Sequence, residues 1–323
     1  MVAGMPRKLR LEYPGACYHV INRGNYRANI FKTEGARAAF ESCLFEACQK
    51  SRWVLHAFVV MSNHYHLALE TPELGLVAGM QWLQGTFANR FNKLRGERGH
   101  LFQGRYKALP AEEGESFGRV CHYIHLNPVR AGVVAVDRLA EFRHSSYWYL
   151  WHPEERPGFL DLRTALTDAG GLADTEAGRS SYAGYLAWQA AEGPAGKNKA
   201  YVSLSKGWAL GTKEFKAALV KDHQLAADAR AWESAGAKEI RELDWEARLG
   251  AALRREGKTA EDARRERKSA AWKVTLAAEL KQTTQATNAW IAEHLNMGSG
   301  VAVSHYVSQR RRAPNGPKGD GTS

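Results

Sequence analysis

Two histidines, His64 and His66, carry the clearest chemical signal in this 323-residue chain. They stand two apart within residues 61–70, a run with the composition of a β-strand. Because side chains i and i+2 of a strand project from the same face, both imidazoles can turn toward one metal ion. Tyr65 then points to the other face, into the core. The spacing predicts a metal site on a sheet, although two surface histidines would show the same pattern.

A second segment offers a nucleophile and a further ligand. Tyr123 and Asn127 are four apart in a pattern typical of a helix, so they share a face. A phenol and an amide would then lie side by side. Taken alone this pair is uninformative, and its weight comes from its coincidence with the histidines. His122 and His125 flank the tyrosine. They are expected to be packing or surface residues, since on a helix their side chains point away from the face that carries Tyr123.

Four segments, in this order, resemble a known family. Together they are similar to the HUH single-strand transposases, and in particular to the REP-associated tyrosine transposases, over roughly residues 5–150. The segments are Asn22-Arg23-Gly24-Asn25, the histidine pair, Phe102-Gln103-Gly104-Arg105-Tyr106-Lys107 and residues 123–132.

The resemblance implies a metal-dependent endonuclease and strand transferase that acts on single-stranded DNA containing a palindromic hairpin. Tyr123 would be its catalytic residue, forming a 5′-phosphotyrosine link and leaving a free 3′-hydroxyl. His64, His66 and Asn127 would hold one divalent ion, which is Mg²⁺ or Mn²⁺ in this family. Ligand chemistry alone leaves the metal open, because imidazole pairs also suit zinc, nickel and copper.

The charge of the chain indicates a polyanionic partner. Its net charge is +11 and its pI is near 9.5, and basic residues fall near the segments described above. Cations with interleaved amides and an aromatic ring grip single strands through backbone charge and base stacking. The residues predicted to bind DNA in this way are Asn22, Arg23, Asn25, Arg27, Arg105, Tyr106 and Lys107.

Two other functions fit parts of the pattern. One is a regulator that binds hairpin DNA without cutting it, against which the intact histidine pair, tyrosine and asparagine argue. The other is a hydrolytic zinc or manganese enzyme that carries a His-Xaa-His pair and has no need of Tyr123. Covalent trapping on DNA separates all three functions.

Local periodicity predicts the elements that position these residues. The expected fold class is α+β, with a ferredoxin-like or RRM-like antiparallel sheet, helices on one face, and an all-α C-terminal region after it. Strands are expected at 16–22, 53–61, 64–70 and 100–110, and helices at 35–50, 76–94 and 116–127, the last ended by Pro128.

Composition suggests four regions. Residues 1–150 are expected to form the catalytic domain, 151–270 a helical middle region, 271–312 a helix-turn-helix and 313–323 a disordered basic tail. In the third region, apolar residues recur at helical spacing around a glycine-containing break at 296–299, so 300–309 would be a recognition helix that holds duplex DNA. A plain helical hairpin is the alternative.

Compartment and assembly are only loosely constrained. Four cysteines without a Cys-x-x-Cys pair are expected to be small core residues rather than a disulfide framework or a zinc site. Residues 1–8 lack the apolar segment of a signal peptide, and no run is long enough to span a membrane. A reduced, cytoplasmic protein is therefore expected, and the family resemblance implies that it acts as a monomer or a homodimer.

Overall fold

The computed structural model describes residues 11–191, 204–223, 225 and 234–312. The chain forms two compact units, residues 1–212 and 213–323. The boundary expected at residue 150 is therefore corrected. Leu160, Tyr182 and Leu186 are buried in the same core as the sheet, because a large part of the predicted middle region packs on the predicted catalytic domain. The predicted tail at 313–323 lies outside the described residues.

The first unit contains a four-stranded sheet. Its strands are β1 (Ala16–Arg23), β2 (Val54–Val60), β3 (His64–Thr71) and β4 (Lys107–Ala111). They lie in the order β2-β3-β1-β4, and each neighbouring pair is antiparallel. β2 and β3 form the predicted hairpin. β4 is shorter than predicted, because the chain turns at Gly104 with φ 67°, a conformation that glycine adopts without strain.

Seven α-helices accompany this sheet among the described residues of the first unit. The predicted helices begin and end within two residues of the observed α1, α2 and α3. In chain order the seven observed helices are α1 (Glu34–Ser51), α2 (Leu76–Arg95), α3 (Glu115–His125), α4 (Asn127–Arg130), α5 (Trp148–Trp151), α6 (Arg163–Asp168) and α7 (Glu176–Ala191).

Helices cover both faces of the sheet. On one face the Tyr65 ring lies 4.6 Å from that of Phe40 in α1, which in turn lies 5.2 Å from Phe87 in α2. On the other face the His66 ring lies 5.4 Å from that of Tyr123 in α3. The α+β class is confirmed, and the expectation of helices on one face is corrected. Successive side chains of β3 alternate, so adjacent residues meet different helical layers.

The second unit is helical throughout its described residues, as predicted for the C-terminal region. A core of its own includes Trp245, Leu276, Ile291 and Val303. Its helices are α8 (Lys213–Asp222), α9 (Ser234–Arg255), α10 (Ala260–Arg265), α11 (Ala271–Thr283), α12 (Asn288–His294) and α13 (Gly300–Arg312).

All four cysteines are buried and unpaired, which agrees with their predicted role as core residues. In the part of the chain that the structure describes, no helix has the length and apolarity needed to cross a membrane.

Candidate catalytic site

A cleft of about 420 Å³ opens at the end of the sheet where β1, β3 and β4 meet the α3 layer. Strand β3 supplies both histidines, and α3 supplies the tyrosine. The cleft thus collects residues that are 59 positions apart in sequence, from His64 to Tyr123. It is lined by Ile21, Asn22, Arg23, His64, His66, Gln103, Arg105, Lys107, Tyr123, Ser205 and Lys206.

The two histidines of the pair are held by different partners. The Nδ1 atom of His64 lies 2.7 Å from Oδ1 of Asn63, and the same imidazole hydrogen bonds with the side chain of Asn127. The Nδ1 atom of His66 lies 2.9 Å from Nε2 of His19. In each ring the Nδ1 atom is engaged. Nε2 of His66 is therefore the atom of that ring that can hold a metal, whereas the His64 ring already contacts the Asn127 side chain.

Burial keeps these imidazoles neutral. It lowers the pKa of His64, an effect that the Asn127 hydrogen bond opposes and the Arg23 charge reinforces. It lowers the pKa of His66 well below its usual value, with further lowering by His19 and His64. Burial also lowers the pKa of His19 to about 4. Neutral imidazoles retain the lone pair that a metal ligand needs, which is compatible with the predicted role of His64 and His66.

The donor set fits a divalent ion. In the described residues no three His, Cys, Asp or Glu side chains converge on a metal position, so a metal here depends on two imidazoles and the amide of Asn127. Two nitrogens and one oxygen leave further coordination positions for water and phosphate oxygens, and both borderline ions and Mn²⁺ accept such a mixture. The structure brings the three predicted ligands together.

Tyr123 is half-buried beside the histidines. Its ring lies 5.4 Å from that of His66 and 5.7 Å from that of His19, and the guanidinium of Arg130 lies 5.6 Å from its centroid. Asn127 begins α4, and Leu126 between the two helices keeps helical dihedrals (φ −78°, ψ −4°), so the chain continues as one turn. This continuity explains how the tyrosine and the asparagine reach one site, as their spacing predicted.

His122 and His125 are fully buried and belong to a chain of hydrogen bonds behind the tyrosine helix. Tyr182 of α7 joins them, with its hydroxyl 2.9 Å from Nδ1 of His122 and 2.8 Å from Nδ1 of His125. A single assignment of donors and acceptors gives every group in this chain of hydrogen bonds a partner. It runs from the Phe58 N–H to Ser146 Oγ, from that hydroxyl to His125 Nε2, from His125 Nδ1 to Tyr182, from Tyr182 to His122, and from His122 Nε2 to Asp168.

That chain fixes α3 against three other elements. Ser146 connects it to β2, Asp168 to α6 and Tyr182 to α7. At Gly118 the helix approaches α6 so closely that a Cβ atom would collide with the Asp168 side chain. His122 and His125 were expected to be packing or surface residues, and the structure shows that they pack. Their buried hydrogen bonds could not be predicted from sequence spacing.

The residues predicted to bind DNA separate into three groups. Asn22, Arg23, Arg105 and Lys107 line the cleft with Tyr123. Asn25 lies on a neighbouring cleft of about 390 Å³ between the loop after β1 and the end of α2, and Arg27 is exposed in the same loop. Tyr106 is only 6% exposed, so its ring packs in the core and is not presented for base stacking.

Sequence reasoning missed three parts of the site. His19 contacts both His66 and Tyr123, and its only sequence signal was a histidine within an otherwise apolar strand. Ser205 and Lys206 line the cleft from a segment that lies 82 positions beyond Tyr123, counted to Ser205. No local pattern could have placed that segment there.

Comparison with known proteins gives a family and two similar structures. No curated protein matches the chain. A solved REP-associated tyrosine transposase bound to a REP hairpin is 16% identical, with 47% of this chain and 89% of that chain covered and a TM-score of 0.39. A candidate transposase from Deinococcus radiodurans is 20% identical, with 45% and 98% covered and a TM-score of 0.27.

The family match falls on the elements that build the cleft. Residues 13–127 match the model of the IS200-like transposases. The matched range begins just before β1 and ends at Asn127, so it includes the histidine pair, Tyr123 and the amide beside them. Over these residues the chain is similar to the IS200-like transposases, which agrees with the resemblance of its sequence segments.

Proposed function

We propose that the protein is a metal-dependent endonuclease and strand transferase that cuts single-stranded, hairpin-containing DNA through a 5′-phosphotyrosine at Tyr123. The observation that carries the proposal is the convergence in one cleft of a phenol, two neutral imidazoles and several cations. The preference for REP-like hairpins rests on the resemblance of residues 102–107 and 123–132 to the REP-associated members of the family.

The reaction needs a nucleophile, a grip on the phosphate and support for the leaving oxygen. In the proposed step the Tyr123 oxygen attacks phosphorus, the bond from phosphorus to the 3′ oxygen breaks, and the 3′ fragment keeps its 5′ phosphate as a tyrosine ester. Attack by a 3′-hydroxyl on this ester reverses the step and joins strands without an external energy source. A divalent ion such as Mg²⁺ or Mn²⁺, held by His64, His66 and Asn127, would polarise the phosphate and support the departing oxygen.

The protein side chains orient the strand. Arg23, Arg105 and Lys107 place positive charge along the cleft, which suits a phosphate backbone. Lys107 also donates from Nζ to the Ser205 carbonyl at 2.9 Å, so its ammonium is held at the cleft wall. His66 and His19 pack edge-on against the Tyr123 ring and limit the directions in which the phenol can turn.

Covalent trapping tests this function. The full chain is incubated with Mn²⁺ and hairpin oligonucleotides drawn from the flanks of its own gene, labelled at the 3′ end, and resolved on a denaturing gel. We expect a labelled protein adduct that Tyr123→Phe abolishes while hairpin affinity remains. Binding without an adduct would indicate the hairpin-binding regulator, and cleavage that survives Tyr123→Phe without an adduct would indicate the hydrolytic enzyme.

A second activity is favoured by the end of the second unit. We propose that α11, α12 and α13 form a helix-turn-helix that binds duplex DNA. α12 and α13 are separated by a short turn in which Asn296 and Gly298 have φ values of 48° and 91°. A Cβ on Gly300 would lie 3.1 Å from the Ala289 nitrogen, so the start of α13 packs closely on α12, as in this motif.

The exposed face of α13 supports a binding role over a plain helical hairpin. Val303 and Val307 are buried on the inner side, whereas Val301 is 80% exposed and His305 and Ser308 are also exposed. At helical spacing these three residues form one stripe. An apolar side chain with polar neighbours is the combination that contacts thymine methyls and base edges in the major groove.

A further inference from the structure

The hydrogen bonds of His19 determine which nitrogen of His66 carries a proton. The Leu204 carbonyl oxygen, 2.8 Å from Nδ1 of His19, can only accept, so that nitrogen must carry the hydrogen. In the neutral ring Nε2 is then bare and can only accept. Since it lies 2.9 Å from Nδ1 of His66, the hydrogen between the rings belongs to His66. Its Nε2 is left with the lone pair that a metal requires.

The carbonyl that starts this order is fixed independently of the histidines. Residues 204–212, called the return segment here, run back beside β4, where the Leu210 amide donates to Pro110 at 2.7 Å and the Glu112 amide donates to Leu210 at 2.8 Å. Lys107 Nζ donates to the Ser205 carbonyl. Leu204 itself is 9% exposed. The return segment therefore holds its carbonyl against His19 through bonds to the sheet.

His19 has no freedom to leave this arrangement. It is fully buried, and its ring stacks on that of His66 with centroids 5.2 Å apart and planes 28° apart. Metal-binding histidines commonly donate their second nitrogen to a carboxylate or a backbone carbonyl, and loss of that partner weakens metal binding by roughly 10–100-fold. Here a second histidine stands between the ligand and the carbonyl.

We propose that His19 is a positioning residue for His66, and that the Leu204 carbonyl sets the tautomer of both rings. The return segment, which lies beyond the family match, then becomes part of the metal site. This inference rests on the proposed function, because it takes His66 as a metal ligand. It predicts a property of the metal-free protein as well, namely hydrogen on Nδ1 in both His19 and His66.

Two substitutions of the same residue test the role. His19→Gln keeps the order of donor and acceptor, because its amide nitrogen can donate to Leu204 and its amide oxygen can accept from His66. His19→Leu fills similar space but removes both bonds. Mn²⁺ affinity of the full chain is measured by the loss of the free-ion signal in electron paramagnetic resonance. We expect His19→Leu to bind roughly 10–100-fold more weakly than wild type, and His19→Gln to recover most of that loss.

The reference variant His66→Ala separates this inference from the proposed function. If His66→Ala binds Mn²⁺ as well as wild type, the proposed metal site is wrong and the role of His19 falls with it. If His66→Ala loses binding but His19→Leu does not, the metal site stands and the positioning role is overturned. Equal loss in His19→Leu, His19→Gln and His66→Ala would make His19 a ligand itself, which also overturns it.

Nitrogen-15 NMR of histidine in the metal-free full chain gives a readout that needs no variant to fold. The chemical shifts of Nδ1 and Nε2 distinguish the two neutral tautomers. We expect both rings to be protonated on Nδ1 at neutral pH. A His66 ring protonated on Nε2 would contradict the proposed order, whatever the metal affinities of the variants.

Discussion

At the scale of single residues, the Nδ1 atoms of His64 and His66 are both engaged by a neighbouring side chain. Asn63 engages His64 and His19 engages His66, while burial lowers the pKa of both rings. The Tyr123 ring lies against His66, so the proposed nucleophile and the proposed metal ligands occupy adjacent positions. In the proposed function, affinity for DNA has a different origin, because the cleft cations would contact backbone charge rather than the reacting atoms.

This separation predicts the behaviour of His64→Ala. One metal ligand is lost, so cleavage should fall by at least about 100-fold, the scale expected when metal-assisted charge stabilisation is removed. Hairpin affinity should change by less than about threefold, because Arg23, Arg105 and Lys107 remain. Adduct formation and fluorescence anisotropy with the same labelled hairpin measure the two effects.

The matched control is His152→Ala, which removes a histidine that stacks on Trp148 and is not among the residues lining the cleft. It should leave both cleavage and binding close to wild type. A parallel loss of hairpin affinity and cleavage in His64→Ala would instead make this histidine a DNA contact.

At the scale of elements, the sequence was most informative where the signal is local. The β2–β3 hairpin and α3 followed from alternation and helical periodicity. The predicted stop at Pro128 was wrong, because α3 ends at His125 and Pro128 lies in the first turn of α4. The alternation of β3 could not tell which helix covers which face, because both faces of this strand are buried. From the sequence, Tyr65 was expected to point into the core and His66 to point to the opposite face. In the structure both are buried, Tyr65 against α1 and His66 against α3.

The second layer of the site was hidden for a related reason. His19 contacts the Leu204 carbonyl across 185 positions, and His122 contacts Tyr182 across 60. Such contacts depend on how later segments fold back on the sheet, and no periodicity encodes that path. The candidate ligands and nucleophile could be predicted because their spacing lies within one strand and one helical turn. Their supporting partners could not.

The chain of hydrogen bonds behind α3 predicts a cost for Tyr182→Phe. Loss of one hydroxyl leaves Nδ1 of both His122 and His125 without that partner in a fully buried site. Unsatisfied buried polar groups cost about 1–3 kcal/mol each, so the loss of a partner for two of them should lower the free energy of unfolding by about 2–6 kcal/mol. Urea denaturation measures this change, and adduct formation shows whether the tyrosine helix is still correctly placed.

Tyr185→Phe is the control on the same helix. Its hydroxyl accepts from Gln189 at 2.6 Å at a half-buried position, and water can replace that bond. The free energy of unfolding should therefore change by less than about 1 kcal/mol. Equal effects of the two substitutions would show that the buried hydrogen bonds of Tyr182 do not hold α3 in place.

A second buried cluster ties α1 to the segment before α5. Glu41 accepts from Arg143 at 2.9 Å, from His144 at 2.8 Å and from Tyr149 at 2.6 Å. Burial raises the pKa of Glu41, but these hydrogen bonds and the Arg143 charge outweigh it, so the pKa is lowered overall. A lowered pKa contributes stability above the ordinary carboxyl pKa of 4.5, and that stability is lost as the pH falls through the folded-state pKa.

Glu41→Gln should therefore destabilise the protein in a pH-dependent way. At pH 7 the substitution leaves buried donors without their charged acceptor, and we expect the free energy of unfolding to fall by about 3 kcal/mol. Below the ordinary carboxyl pKa of 4.5, protonation of Glu41 in the unfolded chain removes this stability progressively, so at about pH 3 the difference between the two proteins should shrink. Urea denaturation at both pH values measures it. A difference independent of pH would mean that shape, not charge, is what Glu41 contributes.

At the scale of the whole molecule, the two units have separate cores. The helix-turn-helix was predicted to start at 271, but Trp245 of α9 lies 5.5 Å from Trp290 of α12, and α9 contributes to the same core. Removal of the chain after residue 270 would therefore expose the apolar face of α9. A deletion that respects the observed boundary removes residues 213–323 as a whole.

Three substitutions that each add one negative charge test duplex binding in the full chain. Val301→Glu and His305→Glu lie on the exposed stripe of α13, and Ala251→Glu lies on an exposed part of α9. A carboxylate facing the groove meets base-edge acceptors and phosphates, so each α13 variant should weaken binding to a hairpin with duplex flanks by about tenfold. Fluorescence anisotropy measures the affinities, and Ala251→Glu should change them by less than about twofold.

The origin of that affinity can be read from its salt dependence. Arg310 is exposed near the end of α13, and if it contacts a phosphate, Arg310→Ala should reduce the slope of log affinity against log salt by about 1 on duplex-flanked DNA. A short hairpin without flanks should be cut at the same rate by wild type and by every variant of the second unit, because the cleft lies wholly in the first. Equal weakening by Val301→Glu, His305→Glu and Ala251→Glu would reflect net charge alone, and it would leave α13 as a packing element rather than a reader of duplex DNA.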